Sequence, residues 1–231
     1  MLILKNIEIV NLALLIKDTL VISDIHIGYE EELNKKGIMI PRLSFNDITK
    51  QLEKILKKVK IKKIVITGDL KHEFGKISDQ EWRETLNFVD FLMKQGEVIL
   101  IKGNHDKTLD IIAKKRNVTL VDSYIIEDII LLHGDEIIKI PENINTIVMG
   151  HEHPAIALRE DKRIEKYKCF LKGRYKNKNL IVLPSFNPVT IGTDILSQKL
   201  LSPFLKQDLS KFNVYVIADS VYDFGKVGDL K

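Results

Sequence analysis

Residues 62–72 read KKIVITGDLKH. Ile64, Val65, Ile66 and Thr67 are all β-branched, and they give way at once to Gly68, Asp69, Lys71 and His72. An apolar run this short reads as a strand buried on both faces, and the glycine marks where the chain leaves the sheet. The carboxylate and imidazole therefore sit at the strand's carboxyl end, where functional groups from several strands share one crevice. The same unit recurs as Thr19-Leu-Val-Ile-Ser-Asp24, Glu97-Val-Ile-Leu-Ile-Lys-Gly-Asn104, Ile129-Ile-Leu-Leu-His133 and Thr146-Ile-Val-Met-Gly-His151.

Helical patterns lie between these units. Ser44 is placed to cap a helix whose apolar positions Ile48, Leu52, Ile55, Leu56 and Val59 follow the 3.6-residue period. Ser78 and Glu81 form a capping box for a helix with Trp82, Leu86, Val89 and Leu92 on one side and Gly96 as its stop. A shorter helix spans residues 109–115. Strand and helix in alternation predict a largely parallel sheet at the start of the chain. After about residue 118 the pattern changes to strand pairs, with 118–127 leading into 129–133 and a hairpin around 177–179. The expectation is an α/β protein of two mixed sheets packed face to face with flanking helices. With no linker, repeat or low-complexity tract, one domain over residues 1–231 is expected.

A chain of 231 residues buries roughly 70% of its unfolded surface and needs no structural metal to fold. The apolar start is interrupted by Lys5, Asn6, Glu8, Asn11, Lys17 and Asp18, so it lacks a signal-peptide core and the ~20 apolar residues of a membrane span. No membrane partner is expected, and the cytoplasm is the default location. The single Cys169 cannot form an internal disulfide, which agrees with a reducing compartment and removes Cys-rich zinc motifs. A net charge of +4 favours anionic partners without diagnosing nucleic acid. The lysine runs 57–63 and 172–178 read as a solvated helix face and a hairpin tip.

All six histidines stand just past these strands, in Asp24-Ile-His26, Gly68-Asp69-Leu-Lys-His72, Gly103-Asn104-His105-Asp106, His133-Gly134-Asp135 and Gly150-His151-Glu-His153. Each motif alone has an ordinary structural explanation. Asp-x-His is common in loops, Gly-Asn-His-Asp suits a turn, and His133 alone reads as a strand-end histidine. Gly-His-x-His is stronger, since residues two apart in an extended segment face the same way. Their joint occurrence at strand ends points to one metal site of imidazole, carboxylate and amide donors, which suits Mn, Fe or Zn.

This ordered set resembles the signature of the calcineurin-like metallophosphoesterase superfamily. A narrower resemblance, to the small DNA-ligase-associated phosphoesterases of bacteria and their archaeal SbcD-related counterparts, is carried by residues 24–28, 37–41, 68–72, 151–155, Cys169-Phe170 and Leu183-Pro-Ser-Phe186. The last 40 residues have no counterpart in it. The resemblance implies a four-layer αββα metallophosphoesterase sandwich. It implies one metal held by Asp24, His26, Asp69 and His153 and a second by Asp69, Asn104, His133 and His151, with Asp69 bridging and Mn favoured. His105 is then the general acid, oriented by Asp106, and His72 contacts phosphate or supports the metals from behind. Two dications against two carboxylates leave a positive core that attracts phosphate and holds hydroxide near neutral pH.

The expected function is that of a two-metal phosphodiesterase acting by in-line attack of a metal-bridging hydroxide on DNA or nucleotide fragments. Single-stranded DNA is the candidate partner, with residues 167–178 as a basic and aromatic surface for it. Two other readings stay open: a small-molecule phosphatase or cyclic-nucleotide phosphodiesterase, and a non-catalytic scaffold module. The stretch after His153 leaves little room for the capping domain and ATPase-binding tail of the larger recombination nucleases.

Overall fold

The computed structural model describes residues 1–40, 44–73, 77–160, 163–197 and 199–230. Three short strands, β1 (Leu2–Leu4), β2 (Ile7–Val10) and β3 (Ala13–Ile16), run antiparallel to one another and into β4 (Thr19–Ile22). Asn6, Asn11 and Lys17 take positive φ in the turns between them, a conformation that asparagine tolerates better than most residues. There follow α1 (Tyr29–Lys35), α2 (Ser44–Leu56), β5 (Lys63–Thr67), α3 (Asp79–Met93), β6 (Glu97–Ile101), α4 (Leu109–Arg116) and β7 (Thr119–Val121), with β4 to β7 parallel. The expectation of a largely parallel first sheet thus holds only from β4 onward. The earlier connections are too short for the crossover that parallel neighbours need.

Asp122 alone carries the chain from the first sheet to the second, since Val121 ends β7 and Ser123 begins β8 (Ser123–Ile126). The segment 118–127 is therefore divided, and only its second half pairs with β9 (Ile129–Leu132). Next come β10 (Thr146–Met149), β11 (Pro154–Glu160), β12 (Arg163–Tyr175), β13 (Lys178–Val182), β14 (Thr193–Asp194), β15 (Asn213–Ile217) and β16 (Val221–Lys226). The second sheet runs β14-β11-β12-β13-β10-β9-β8, with β15 also on β12 and β16 on β15. It is mixed, since β9, β10 and β13 are parallel while β12 is antiparallel to its neighbours. The β12–β13 hairpin turns at Lys176 and Asn177, close to the predicted place.

Alternation along the strands builds the layers, because successive side chains face opposite ways. Val21, Val65, Ile99 and Ile101 point between the sheets and meet Leu131, Val148, Phe170 and Ile181 from the other side. Their neighbours Ile22, Ile64, Ile66 and Leu100 face outward onto Ile48, Leu52, Phe88, Val89 and Ile112 of α2, α3 and α4. On the second sheet Ile147, Met149, Leu171 and Leu180 face outward and are covered by Ile144, Phe204, Leu205 and Phe212. The two-sheet sandwich with flanking helices is present; among the described residues the cover of the second sheet is two 3-10 turns, Pro203–Leu205 and Val227–Leu230, and irregular chain. No described helix is long and apolar enough to cross a membrane.

Ser78 caps α3, its hydroxyl accepting the Glu81 N–H at 3.1 Å. The reciprocal half of the expected capping box is redirected: the Glu81 carboxylate accepts the N–H groups of His72 and Glu73 at 2.8 and 2.9 Å. The helix start is thereby tied to the loop after β5. Pro41 and the side chain of Ser44 lie outside the described part of the chain.

Candidate metal centre

The parallel alignment of β4, β5 and β6, and of β9 and β10, brings five strand ends to one edge of the sandwich. Immediately beyond them Asp24, His26, Asp69, His151 and His153 take φ values of 53°, 47°, 48°, 66° and 48°. Such left-handed residues cost of order 1 kcal/mol or more each outside glycine and persist where surroundings over-determine them. Here the neighbouring loops fix them: Asp24 N–H donates to the Gly68 carbonyl at 3.2 Å, His26 N–H to that of Asp69 at 2.9 Å, and Ile27 N–H to that of Leu70 at 3.0 Å.

Three glycines make the convergence possible. A Cβ on Gly68 would stand 2.2 Å from His133 Nδ1, one on Gly103 2.1 Å from Asp69 Oδ1, and one on Gly150 1.8 Å from Ser23 Oγ and 2.5 Å from Asp24 Oδ2. Each glycine precedes one candidate ligand in the chain and leaves room for another arriving from a different strand.

The seven candidate ligands come together in two groups. In the first, His26 Nε2 and Asp24 Oδ1 each lie 3.3 Å from His153 Nε2. In the second, His133 Nε2 lies 2.9 Å from Asn104 Oδ1, 3.1 Å from His151 Nδ1 and 3.4 Å from Asp69 Oδ2. Asp69 Oδ2 is also 3.7 Å from His26 Nε2, so it stands between the groups. Two donors each ~2.1 Å from one cation and 90–110° apart are separated by about 3.0–3.4 Å, and these atoms have that spacing. Asp24 Oδ1 is buried with no hydrogen bond to satisfy it, a costly state that a cation would relieve. The residues fit divalent metal ions.

Their protonation agrees. Burial pushes the Asp24 carboxyl up, but His153 and His133 outweigh it and hold it below the usual carboxylate range. Asp69 is likewise lowered, with His133 overcoming burial. Burial pulls His26 down to about 3, aided by His153, and also lowers His151. Burial opposes protonation of His133 too, yet Asp69 and Asp24 lift it to about 10. His133 Nδ1 donates to the Thr67 carbonyl at 3.0 Å, which turns Nε2 toward the other ligands.

The remaining candidates surround this core. The His105 N–H donates to Asp69 Oδ1 at 2.9 Å, and its ring Nδ1 bonds the His72 carbonyl, which leaves Nε2 facing Asp69 Oδ2 at 3.9 Å. His72 Nδ1 lies 3.3 Å from His26 Nδ1, while its Nε2 bonds the Glu32 carboxylate of α1. Glu32, His72 and His26 thus form a line behind the first group. Asp106 has a different place from the one expected. Its carboxylate accepts the N–H groups of Gly103, Leu70 and Lys71 at 3.0, 3.4 and 3.3 Å, joining two loops, and the His105 ring is oriented by the His72 carbonyl.

Several contributors stand outside the predicted set of site residues. Ser23 Oγ donates to Asp24 Oδ2 at 2.6 Å. The segment 185–187 braces the Asp24–His26 turn from behind: Ser185 Oγ donates to the Asp24 carbonyl at 2.7 Å, and Asn187 Nδ2 to the carbonyls of Ile25 and His26 at 2.7 and 3.2 Å. Lys168 donates to the carbonyls of Ser185 and Asn187, and burial pulls its ammonium down to about 7. Glu152, between the two histidines of its motif, is buried and accepts the N–H groups of Leu201 and Ser202 at 2.8 Å each. Some of these act on backbone carbonyls, which any sequence supplies, so only the geometry discloses them.

The basic and aromatic stretch 167–178 is no continuous surface for a strand. Lys168 is turned inward, Lys172 donates to the Ile3 carbonyl at 2.8 Å, Arg174 donates to that of Asn177 at 2.7 Å, and Tyr175 packs on Phe204.

Comparison with known proteins adds a family and a fold. The chain matches the family of calcineurin-like phosphoesterases over residues 18–216. No curated protein matches it. Among solved structures, nuclease MPE of Pseudomonas putida is 19% identical and covers 92% of this chain and 91% of its own, with a TM-score of 0.66. A protein of unknown function from Aquifex aeolicus is 23% identical over 58% of this chain and 78% of its own, TM-score 0.41. A predicted phosphoesterase from Streptococcus pneumoniae is 14% identical over 90% and 97%, TM-score 0.34. The first of these shows a shared fold.

Proposed function

The chain belongs to the calcineurin-like phosphoesterase family, and on that premise we propose that it is a two-metal phosphodiesterase acting on nucleic acid or nucleotide fragments in the cytoplasm. The observation that carries the reading is the position of Asp69 Oδ2, 3.4 Å from His133 Nε2 in one donor group and 3.7 Å from His26 Nε2 at the edge of the other. Asp24, His26, Asp69 and His153 would hold one cation and Asp69, Asn104, His133 and His151 the other, with Mn favoured. Bound there, two dications supply a nucleophile from water at neutral pH and neutralise charge on the phosphate.

The chain's own groups do the rest. His105 is held by its Nδ1 bond to the His72 carbonyl, so Nε2 is the atom that delivers a proton to the leaving oxygen. Burial keeps its pKa below that of a free histidine, which strengthens it as an acid once protonated. Glu32 and His72 fix the His26 ring from behind, and Asp106 fixes the two loops that carry Asp69 and His105. The fold shared with a nuclease and the net charge of +4 support an anionic polynucleotide as substrate.

The test is a comparison of substrates. Protein purified without chelator is analysed for metal content, loaded with Mn²⁺, and assayed on a phosphodiester dye, a phosphomonoester dye and a labelled single-stranded oligonucleotide. Diester and strand hydrolysis with about two metals per chain is the expected result. Hydrolysis of the monoester alone would place the enzyme among small-molecule phosphatases.

A further inference from the structure

A groove at the same end of the sandwich shares Lys168 with the surroundings of the centre described above. It holds about 440 Å³ and is lined by Asn11, Lys50, Gln51, Lys54, Lys168 and Ile217, with Asp47 as its only acid among the described residues. The helix pattern dictates one wall: Ile48, Leu52 and Ile55 are buried against the first sheet, which turns Lys50 and Lys54 of α2 outward. Among the described residues neither has an ion-pair partner, whereas Lys62 and Lys63 meet Asp18 and Glu97.

The inner end of the groove is Lys168. Two of its three ammonium protons go to the carbonyls of Ser185 and Asn187, and the side chain lines the groove, so a third donor remains for an occupant. Ser185 in turn donates to the Asp24 carbonyl. Two hydrogen bonds therefore separate the groove from a candidate ligand of the centre.

The ammonium groups of Lys50 and Lys54 outnumber the one carboxylate, and Lys168, which burial leaves partly charged near pH 7, gains charge when an anion enters. Lys50 and Lys54 stand one above the other with a rise of about 6 Å along the helix axis, an interval comparable to that between successive phosphates of a stretched single strand. We infer that this groove is a phosphate-docking track, in which Lys50, Lys54 and Lys168 hold the single-stranded part of a polynucleotide that extends beyond the bond being cleaved. The inference rests on the nucleic-acid reading of the centre and adds the path that its substrate takes.

The experiment uses the full chain with Lys50→Gln and Lys54→Gln combined; both residues are exposed, so the fold is not at stake. Binding of a fluorescent single-stranded oligonucleotide is followed by anisotropy over a range of salt concentrations, in parallel with strand cleavage and hydrolysis of a phosphodiester dye too short to reach the groove. The expected result is about a tenfold weaker Kd at low salt and a slope of log K against log salt that is smaller by about 1.4, near 0.7 for each lost phosphate contact. KM for the strand rises in step, and turnover of the dye is unchanged. Equal affinity and equal slope in the variant and the unaltered protein would overturn the track. If the unaltered protein binds the strand in the groove but cleaves only the dye, the nuclease reading falls and the track stands; if it neither binds nor cleaves a strand, both fall.

Discussion

The backbone N–H of His105 donates to Asp69 Oδ1 at 2.9 Å, so His105 holds the Asp69 carboxylate by its main chain while its ring Nε2 faces the other carboxylate oxygen. These two contributions separate cleanly under mutation.

His105→Ala keeps the N–H and loses the ring. Metal content is expected to be unchanged and turnover to fall by about 10²- to 10⁴-fold, the usual value of a general acid. The loss should be smaller for a nitrophenyl leaving group, which departs without a proton, than for a nucleotide hydroxyl. Equal losses on both substrates would take the proton transfer away from His105.

Gly103→Ala attacks the same carboxylate from the other side. The new Cβ would lie 2.1 Å from Asp69 Oδ1 and 2.4 Å from its backbone nitrogen, and a backbone atom cannot step aside as a flexible side chain does. Overpacking of this kind costs typically 1–3 kcal/mol. Differential scanning fluorimetry should show a lower Tm and a much reduced upward shift on adding Mn²⁺. A normal metal-induced shift would mean that the loop carrying Asp69 yields more easily than its contacts indicate.

Asn187→Ala removes the donor to the Ile25 and His26 carbonyls and leaves every ligand in place. Loss of supporting hydrogen bonds around a metal site typically lowers affinity by about 10- to 100-fold. Titration calorimetry should find the weaker affinity at one of two sites, the one that includes Asp24 and His26. Identical losses at both sites would assign Asn187 a general role in folding.

Loading the centre should release a proton. Burial works against protonation of His133, yet Asp69 and Asp24 keep it protonated up to about 10 without a cation, and a ligating nitrogen must be bare. Because acid favours the protonated ring, metal affinity is expected to weaken as pH falls and to strengthen by about tenfold per unit as pH rises toward 10 where this group alone governs it. Calorimetry in buffers of different ionisation enthalpy should count at least one proton leaving per chain, with a further one where bound water ionises. A count of zero at pH 7 would mean that His133 is already neutral before metal binds.

The strand ends were legible because two signals coincide in them. Ile64, Val65 and Ile66 alternate between two cores, and Gly68-Asp69 follows directly after Thr67, so period and punctuation agree. The antiparallel start was harder to read, since β1 to β3 are three or four residues long and their turns rest on single residues such as Asn6 and Asn11. The redirection of Glu81 from its cap to the His72 loop was invisible, because a capping box is a local pattern and the competing donors lie eight and nine residues away. Lys168 was hidden in a stretch that reads as a basic surface, and only the packing of β12 beside β15 shows that it points inward. Asp106 has the sequence position of a partner for His105, but the turn directs its carboxylate to three amides instead.

The crossing at Asp122 has an outcome for biosynthesis. Asp24, His26, Asp69 and Asn104 all precede it, while His133, His151 and His153 follow, so neither donor group is complete on one sheet. A nascent chain emerging amino end first carries three of the four donors proposed for one cation and two of the four proposed for the other, exposed and idle until the second sheet has been made and docked. Cation capture is therefore a late event that registers successful assembly, and a truncated or misdocked product would leave the ribosome unable to sequester the ions that make it reactive.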